Sequence, residues 1–597
     1  MKKANANKLS KIKYILFLLK PYVKYGKGYI ITVFLMSVVF QPLASYFTAV
    51  LPQKAIDAVM NDTPGKDVIL IIVIFTLFIV LVSALENVIK MAYTQMTLVK
   101  VSNKIKNDVN KMALFTDFKY YDGPDFFVKF IYAQDNYPVH AQNVVMLLPD
   151  ILRGLATVIA MIVIIAETGP VLLGITAFFV ILNSLLGLPV IKPTADYEVS
   201  LADAWRPMEY SGRVLKTKEN AAELRASGAG VKLLGSINTA MLNFQKTYKQ
   251  YIKKVAPFHL LQGAVSPIQA AAILAYIIFF VIDGDKSQIG LYASLTVAST
   301  ALASGLNDAA GSIIQMLQSI ANGEKIAEFF EAESEIEPVR ERKLPSPDGN
   351  YEIEFKNVSF GYDEASMLFK DLSIHIKPGQ RIAIVGENGA GKTTLTKLLL
   401  RLYDVNDGAI LINGKNIKDY DIHQLRLNTG VVFQDIRVLA MSLRDNLTVY
   451  NDVSDEKLRE ILEKTGSGAV LEKANGDLST LVSREFTEDG IALSGGEAQK
   501  LMLARLFTDT FGLLILDEPS SALDPLAEAE LMKNILDISG TATTIMIAHR
   551  LSTVRDFDCI YNIENGKIIE SGTHNELMAN KGKYYEMFVS QGANYLK

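Results

Sequence analysis

The chain has 597 residues, of which 50% are hydrophobic and 21% charged, with a net charge of −4. This length exceeds what a single hydrophobic core supports, so we expect at least two domains. A composition that is half hydrophobic and still one fifth charged favours a membrane part joined to a water-exposed part, and the net charge argues against a nucleic-acid binder. The only cysteine, Cys559, excludes an intramolecular disulfide framework, and in DFDCIYNI it is interpreted as a structural strand residue.

Six segments in the first 320 residues are apolar enough to cross a bilayer as helices, which takes about 20 residues. They are Tyr29–Leu51, Val68–Met91, Val145–Ala166, Val171–Ile191, Phe258–Ile282 and, more weakly, Ile289–Ile314. The sixth is rich in small residues and carries Asn307 and Asp308, so we expect it to pack inside a bundle or to line a path. Polar residues inside spans are candidates to line a cavity or to bond neighbouring helices; they include Gln41, Asn183, Gln262 and Gln269.

The residues before the first span indicate the orientation of the chain. Residues 1–28 contain eight lysines and no Asp or Glu, so the positive-inside rule predicts a cytoplasmic N-terminus. Within them, Lys11–Lys27 mixes Lys with aliphatic and aromatic residues, which is typical of a helix lying on the inner leaflet. A solvated leader and a cleaved signal peptide are the alternatives, and the length of the apolar run and the later spans disfavour cleavage.

Two long polar segments, between spans two and three and between spans four and five, have helical patterning. They predict extensions of the membrane helices into the cytoplasm. Their tips, near Tyr120–Phe127 and Arg213–Ala221, are candidate docking points for another domain. We therefore predict an interfacial elbow at 1–28, a transmembrane domain at 29–332, a charged linker at 333–350 and a second domain at 351–597.

From Tyr351 onward, strand-like and helix-like segments alternate, which is the pattern of an α/β domain. In RIAIVGENGAGKTTLTKLLL, an apolar strand is followed by a Gly-rich turn and a helix. Gly386, Gly389 and Gly391 allow backbone N–H groups to surround phosphates, Lys392 reaches the outer phosphates and Thr393 can hold Mg²⁺. This context predicts nucleotide binding.

Two further strands end in candidate catalytic groups. The strand Leu513–Leu516 leads to Asp517, which can hold magnesium, and to Glu518, which can polarise an attacking water as a general base. His549 ends the strand-like run TTIMIAHR on the same sheet, where a γ-phosphate partner is needed. The structural alternatives are a carboxylate without a catalytic role at 518 and an ordinary histidine at 549.

Three other features carry weaker signals. Gln434 ends the β-like run VVFQD and could touch both magnesium and the attacking water, and Tyr362 could stack on adenine or be a core aromatic residue. In LSGGEAQK, Ser494 and two glycines stand at the mouth of a helix, which suits an anion. The chain thus has two candidate phosphate-binding helix ends.

Together these motifs resemble those of the ATP-binding cassette (ABC) family. GENGAGKTT resembles its Walker A, Gln434 its Q-loop, LSGGEAQK its signature, LLILDEP its Walker B, SALD its D-loop and His549 its H-switch. The first 320 residues are similar to the six-helix domain of its exporters. The implied fold is an α-helical transmembrane domain fused to an α/β P-loop nucleotide-binding domain.

The resemblance implies a set of site residues. Those implied to bind ATP are Tyr362, Gly386, Glu387, Asn388, Gly389, Ala390, Gly391, Lys392, Thr393, Thr394, Ser494, Gly495, Gly496, Glu497 and Asp524. Those implied to bind Mg²⁺ are Thr393, Gln434 and Asp517, and those implied to be catalytic are Glu518, His549 and Gln434.

The resemblance also implies that two cassettes pair head to tail, so that each ATP touches the Walker A of one chain and the signature of the other. With one of each motif, this chain is expected to be a half-transporter that pairs with itself or with a related half. Glu497 stands where Gln is commoner, and with YYDGPDFFVKFIYAQ it resembles peptide and lantibiotic-type bacterial exporters. SREFTEDG, before the signature, departs from the usual exporter pattern.

The predicted function is ATP-driven export of a peptide, lipid or amphiphilic small molecule across the cell membrane by alternating access. The alternative is a non-pumping, ATP-gated regulator or one half of a heterodimer. Degenerate halves usually lose the catalytic Glu, the signature glycines or the switch His. All of these are present here, which favours a competent homodimer.

Overall fold

The structure is a computed structural model that describes most of the chain. The described residues are 2–165, 170–217, 220–283, 289–332, 334, 336, 349–363, 366–449, 451–519, 528, 532–533, 535 and 542–593. The chain divides into two compact units: Met1–Leu114 with Pro124–Ala332, and Phe115–Gly123 with Glu333–Lys597.

All regular structure described in the first unit is helical. Its helices are α1 (Lys2–Tyr25), α2 (Lys27–Leu35), α3 (Gln41–Met60), α4 (Gly65–Val88), α5 (Gln95–Leu114), α6 (Pro124–Ile165), α7 (Pro170–Lys216), α8 (Asn220–Ala226), α9 (Ala229–Asp283) and α10 (Ile289–Phe330). A π-helical turn at Met36–Phe40 joins α2 to α3, and another at Ile89–Thr94 joins α4 to α5. Each of these pairs therefore runs as one long helix.

The prediction of six membrane-spanning helices is confirmed. In the part of the chain that the structure describes, the six apolar helices are Lys27–Met60, Gly65–Leu114, Asp125–Ile164, Gly174–Thr194, Ala229–Tyr276 and Ile289–Phe330. Most are longer than the predicted spans, because polar turns continue the same helices beyond their apolar windows. Half of the apolar window of the sixth is buried, against 6–33% in the other five. A helix that packs inside a bundle is expected to have this burial.

Small and polar residues join the membrane helices closely. A Cβ atom added at Gly154 of α6 would lie 2.4 Å from the carbonyl oxygen of Gly305 in α10, so only glycine permits this approach. Asn183 Nδ2 donates to Asn307 Oδ1 at 2.8 Å, and Gln262 Nε2 donates to the Asn183 carbonyl at 3.2 Å. Asn183 and Gln262 therefore bond neighbouring helices.

The second unit contains ten strands and eight helices in its described residues. They are β1 (Ile353–Phe360), β2 (Phe369–Ile376), β3 (Arg381–Gly386), α11 (Lys392–Leu399), β4 (Asp407–Ile412), β5 (Lys415–Asn416), α12 (Ile422–Leu427), β6 (Thr429–Val432), α13 (Leu443–Leu447), α14 (Asp455–Lys464), α15 (Gly468–Lys473), α16 (Gly495–Ala504), β7 (Leu513–Asp517), β8 (Thr543–Ile547), β9 (Cys559–Glu564), β10 (Lys567–Gly572), α17 (His574–Asn580) and α18 (Lys583–Ala593).

These strands form two sheets. The order β2-β1-β4-β5 is antiparallel, whereas in β10-β9-β3-β8-β7-β6 the five strands from β9 to β6 are parallel. Every residue of β7 and β8 is buried, as expected for central strands of a parallel sheet. Because parallel strands end at one edge of the sheet, the residues that come after β3, β6, β7 and β8 are brought together there.

Residues 115–123 pack within the second unit through an aromatic cluster made of Phe118, Phe360, Tyr362 and Tyr403. The Phe118 ring lies edge-on to Tyr403 at 5.7 Å, and Tyr403 lies edge-on to Tyr362 at 5.2 Å. Lys397 Nζ lies 5.5 Å from the centres of the Phe118 and Tyr362 rings, a cation–π distance. The Tyr403 hydroxyl also donates to the Asp122 carboxylate.

Candidate functional site

The Gly-rich loop between β3 and α11 has the geometry of a phosphate cradle. Gly391 has φ +101°, in the left-handed region, and a Cβ atom there would lie 2.6 Å from the Phe369 ring. A Cβ atom at Gly386 would lie 2.1 Å from the Ile563 carbonyl oxygen. Only glycine fits both positions, so the loop backbone is held at the mouth of α11, where N–H groups and the helix dipole favour an anion.

Lys392 begins α11 with its side chain nearly buried, at 6% exposure. Its Nζ donates to the carbonyls of Gly386 and Glu387, at 2.8 and 3.0 Å. Burial lowers the pKa of Lys392, and the nearby carboxyls of Glu518 and Asp517 oppose that shift. A cation is thus held inside the loop that is shaped for phosphates.

Asp517, the last residue of β7, is a buried carboxylate. Both of its oxygens are buried without a hydrogen-bond partner among the described residues. Burial raises the pKa of Asp517 to about 6, and the Thr393 hydroxyl nearby opposes the shift. An unpaired buried carboxylate is costly, and a hard cation with oxygen ligands is a common compensation.

The site suits Mg²⁺ rather than a metal ion whose ligands are all protein side chains. No group of three or more His, Cys, Asp or Glu side chains in the described residues is placed to hold a metal. Mg²⁺ usually takes one or two carboxylates and completes its ligands with phosphate oxygens and water. Asp517 and Thr393, beside a phosphate cradle, match that pattern.

Asp517→Asn should stabilise the nucleotide-free fold while impairing hydrolysis. Because the pKa of about 6 lies above the ordinary aspartate value of 3.8, the folded protein binds the proton more tightly than the unfolded chain. Its stability should therefore fall as pH rises from about 4 to 6. At pH 7.5 the Asn variant should have a higher melting temperature than the parent and a free energy of unfolding that is larger by on the order of 2 kcal/mol. Below about pH 4 the substitution should give no increase in stability.

Calorimetry across pH without nucleotide, alongside Mg²⁺-dependent hydrolysis assays, checks this prediction. Asp404→Asn is the matched control with the opposite sign. Burial raises the pKa of Asp404, but the hydrogen bond and charge of Arg401, with Lys418, outweigh it and lower the pKa overall. The control should melt lower than the parent at pH 7.5. An Asp517→Asn protein that also melted lower would contradict our interpretation of the site.

Glu518, immediately after Asp517, contacts two other predicted catalytic residues. It has φ 49°, a left-handed conformation that is uncommon outside glycine. Gln434 Nε2 donates to its Oε2 at 3.0 Å, and His549 Nε2 lies 2.5 Å from its Oε1. Gln434 lies two residues beyond β6 and His549 two beyond β8, so the parallel sheet brings all three together.

A cavity of about 900 Å³ lies beside this group. Its walls among the described residues are Tyr362, Asp363, Ser366, Met367, Leu368, Asn388, Gly389, Gly391, Lys392, Thr393, Thr394, Gln434, Glu518 and His549. Four of these, Asp363, Ser366, Met367 and Leu368, were not predicted from the sequence. Their position between Tyr362 and β2 was the only signal, and they belong to no motif.

Tyr362 lies at the cavity and also contacts other aromatic residues. Its ring belongs to the aromatic cluster and lines the cavity, and its side chain is nearly half exposed. Its hydroxyl lies 3.1 Å from the Thr394 Oγ1 atom, which ties it to α11. An exposed ring in the wall of a cavity that phosphate-loop residues also line is suited to stacking on a base.

The predicted anion-binding end of the signature helix has a capping box. Ser494 is the N-cap of α16, and its Oγ accepts from the backbone N–H of Glu497 at 3.3 Å. The Glu497 carboxylate accepts in return from the backbone N–H of Ser494 at 2.8 Å. Two N–H groups at the start of the helix are thereby satisfied.

Not all of the predicted site residues meet at the cavity. Of the implied nucleotide contacts, Ser494, Gly495, Gly496 and Glu497 are not among its described lining residues, and neither are Gly386, Glu387 and Ala390 of the loop. Asp517 is buried and is not among the lining residues either. Asp524 lies outside the described residues. The two candidate phosphate-binding helix ends therefore do not share one cavity.

Comparison with known proteins gives a family for part of the second unit. Residues 369–521 match the family described as ABC transporter. The mitochondrial iron-sulfur clusters transporter ATM1 of Saccharomyces cerevisiae is 38% identical over 280 residues, which are 46% of this chain and 40% of that protein. The ATP-dependent lipid A-core flippase of Francisella tularensis is 31% identical over 388 residues, 63% and 61% of the two chains. The chain spans about half the length of the curated relatives it matches.

The likeness in structure extends over almost the whole chain. A solved structure, described as a bacterial Atm1-family ABC exporter with ATP bound, superposes with a TM-score of 0.81 at 21% sequence identity. The match covers 95% of this chain and 98% of the other. The predicted fold class is thereby confirmed, whereas the lantibiotic-type resemblance stays a prediction. In this multi-pass membrane protein, six apolar helices precede a region, residues 369–521, that matches the ABC transporter family, and the chain has the fold of the superposed exporter structure.

Proposed function

We propose that this chain is one half of an ATP-driven exporter that works as a homodimer in the cytoplasmic membrane. The observation that carries the proposal is the contact of Gln434 and His549 with Glu518 at the cavity of the phosphate loop. An arrangement of this kind suits hydrolysis as well as binding, because a carboxylate and two polar partners line the cavity in which a γ-phosphate would lie.

The chemistry proposed at this site is phosphoryl transfer to water. Lys392 and the loop N–H groups neutralise and orient the phosphates, and Tyr362 stacks on the base. Asp517, Thr393 and Gln434 would hold Mg²⁺, which when bound would neutralise charge on the phosphate oxygens. Glu518 accepts a proton from the attacking water, and His549 holds the γ-phosphate end. Catalysis rests mainly on positioning and charge neutralisation.

A head-to-tail dimer would give each of the two phosphate-binding helix ends a role. The start of α16, which does not line the cavity of its own chain, would contact the ATP held by the partner chain. The anion-binding capacity of Ser494, Gly495 and Gly496 supports this arrangement. The lysine-rich, acid-free residues 1–28 support a cytoplasmic N-terminus and cytoplasmic ATP sites.

The cargo is proposed as a peptide, lipid or amphiphilic small molecule. The printed names of the relatives span cargos as different as lipid A-core and iron-sulfur clusters. We therefore propose a range of cargo chemistry and not one compound, with transport in the outward direction.

The test is ATP hydrolysis by the purified chain in proteoliposomes, screened with peptides, lipids and amphiphilic drugs. We expect basal hydrolysis that requires Mg²⁺ and is stimulated several-fold by one of these classes. Stimulation by a compound should be accompanied by its accumulation inside inside-out vesicles. A folded, ATP-binding protein without hydrolysis would contradict the proposal and favour a non-pumping regulator or one half of a heterodimer.

A further inference from the structure

Lys473, which belongs to none of the motifs, forms an ion pair with the carboxylate of Glu497 at the start of the signature helix α16. Lys473, the last residue of α15, places Nζ at 2.6 Å from Oε1 and 2.8 Å from Oε2 of Glu497. Its side chain is 45% exposed, whereas that of Glu497 is 20% exposed. Both carboxylate oxygens are therefore held by one ammonium group, a close charge-assisted contact.

Glu497 has two opposing effects at this position. In the third position of α16 it caps the helix and complements the helix dipole, which stabilises the helix. A negative charge there also opposes any other anion at the same helix end. The hydrogen bond of Lys473, together with the backbone N–H of Ser494, lowers the pKa of Glu497 to about 2. The carboxylate is therefore ionised at every working pH, and protonation does not remove its charge.

The same carboxylate also binds the hydroxyl group that the proposed ATP contact needs. Ser494 Oγ donates to Glu497 Oε2 at 2.9 Å. To donate to a phosphate, this hydroxyl must leave the carboxylate. The exchange is less costly when Lys473 already neutralises the acceptor, because an ion-paired carboxylate is a weaker acceptor than a free one.

We propose that Lys473 is a positioning residue of the ATP site: it neutralises Glu497 and so lets Ser494 and the start of α16 accept the phosphate of the partner's ATP. The inference rests on the proposed function, since it assumes that this helix end binds ATP. A Gln at position 497 would need no such counter-charge. The ion pair and the residue at 497 are thus one functional unit.

Two other roles for Lys473 make different predictions. An ordinary surface ion pair contributes little to the stability of the fold and nothing to the ATP site, so its loss would not change nucleotide affinity. A lysine that contacts phosphate directly would matter equally with Glu or Gln at position 497. Only a counter-charge to Glu497 becomes dispensable when Glu497 is replaced.

The experiment compares Lys473→Met in two backgrounds, the parent chain and Glu497→Gln, with the full-length protein in lipid nanodiscs. The readout is the ATP concentration at half-maximal hydrolysis, KM, together with kcat. In the parent background we expect KM to rise about three- to tenfold at low salt, with a smaller change in kcat and in melting temperature. In the Glu497→Gln background, adding Lys473→Met should change KM by less than about twofold.

Two controls sharpen the comparison. Lys473→Arg keeps the charge and should stay close to the parent, and raising the salt from about 50 to 500 mM should shrink the Lys473→Met effect. Lys457→Met removes another exposed lysine, on α14, whose Nζ pairs with Glu460 at 3.0 Å and not with Glu497, and should leave KM unchanged.

Each outcome supports or contradicts the counter-charge role of Lys473. An unchanged KM in Lys473→Met, or an equal rise in both backgrounds, overturns the counter-charge role while leaving the proposed function intact. A parent chain that binds ATP but never hydrolyses it overturns the proposed function and the inference with it. A rise in KM that Glu497→Gln cancels supports both.

Discussion

Glu518→Gln should lower steady-state ATP hydrolysis by about 100-fold or more while ATP binding is retained. Gln preserves the size of the side chain, and its amide oxygen can still accept from Gln434 Nε2, which now donates to Oε2 at 3.0 Å. The cavity walls should therefore remain in place. The variant loses only the carboxylate that is able to accept a proton from the attacking water.

The measurement is kcat for Mg²⁺-dependent hydrolysis beside the affinity for a fluorescent ATP analogue in the same preparation. The variant should bind ATP with an affinity within a few-fold of the parent and should accumulate in an ATP-bound state. Glu460→Gln, an exposed pair partner on α14, is the matched carboxyl-to-amide control and should hydrolyse ATP normally. Unchanged turnover in Glu518→Gln would remove Glu518 from the role of general base.

Two inactive variants should recover hydrolysis when they are mixed. Lys392→Met removes the cation of the phosphate loop, and Gly495→Asp puts a carboxylate at the start of α16. In a head-to-tail homodimer, each ATP site combines the phosphate loop of one chain with the signature of the other. A dimer of either variant alone therefore has a defect in both sites. A mixed dimer carries both defects in one site and keeps the other site intact, so co-reconstitution at equal amounts should restore up to about one quarter of the parent activity.

The mixing experiment needs chains that exchange or are expressed together with different affinity tags. Tandem purification isolates the mixed dimer, whose specific activity should then approach half that of the parent. A chain carrying both substitutions, mixed with itself, is the control and should stay inactive. Mixed dimers without activity, from variants that each fold and assemble, would rule out ATP sites shared between two chains.

Several of the motifs could be recognised in the sequence because they follow apolar strands. β3, β7 and β8 are short apolar runs, and a parallel sheet must place the residues after each strand along one edge. That rule is enough to predict that Lys392, Glu518 and His549 come together. Six membrane helices were equally predictable, since bilayer thickness fixes the length of an apolar window.

Contacts between side chains without a periodic or motif signal could not be predicted. Lys473 and Glu497 are 24 residues apart on two different helices, and nothing in either segment marks the pair. Gln499 is another example: its buried side chain donates to the carbonyl of Pro519, which links α16 to the residue after Glu518. Such contacts depend on how helices pack, which local patterns do not encode.

Residues 115–123 could be predicted only in part, as the neighbourhood of a docking tip at Tyr120–Phe127. Its place at the tip of a polar segment between two predicted membrane helices indicated a docking point for another domain. The structure places Phe118 against Tyr403 and Asp122 on the Tyr403 hydroxyl. Sequence separation of more than 280 residues leaves no local signal for these contacts.

Because residues 115–123 pack within the second unit, neither unit corresponds to one continuous stretch of the sequence. A chimera spliced between residues 332 and 333 would pair a foreign nucleotide-binding part with Phe115–Gly123 of the original chain. Phe118 and Asp122 would then meet residues other than Lys397 and Tyr403 unless these were carried across as well. Exchange of such parts between relatives, in the laboratory or in evolution, therefore has to move this short internal segment together with its distant partners.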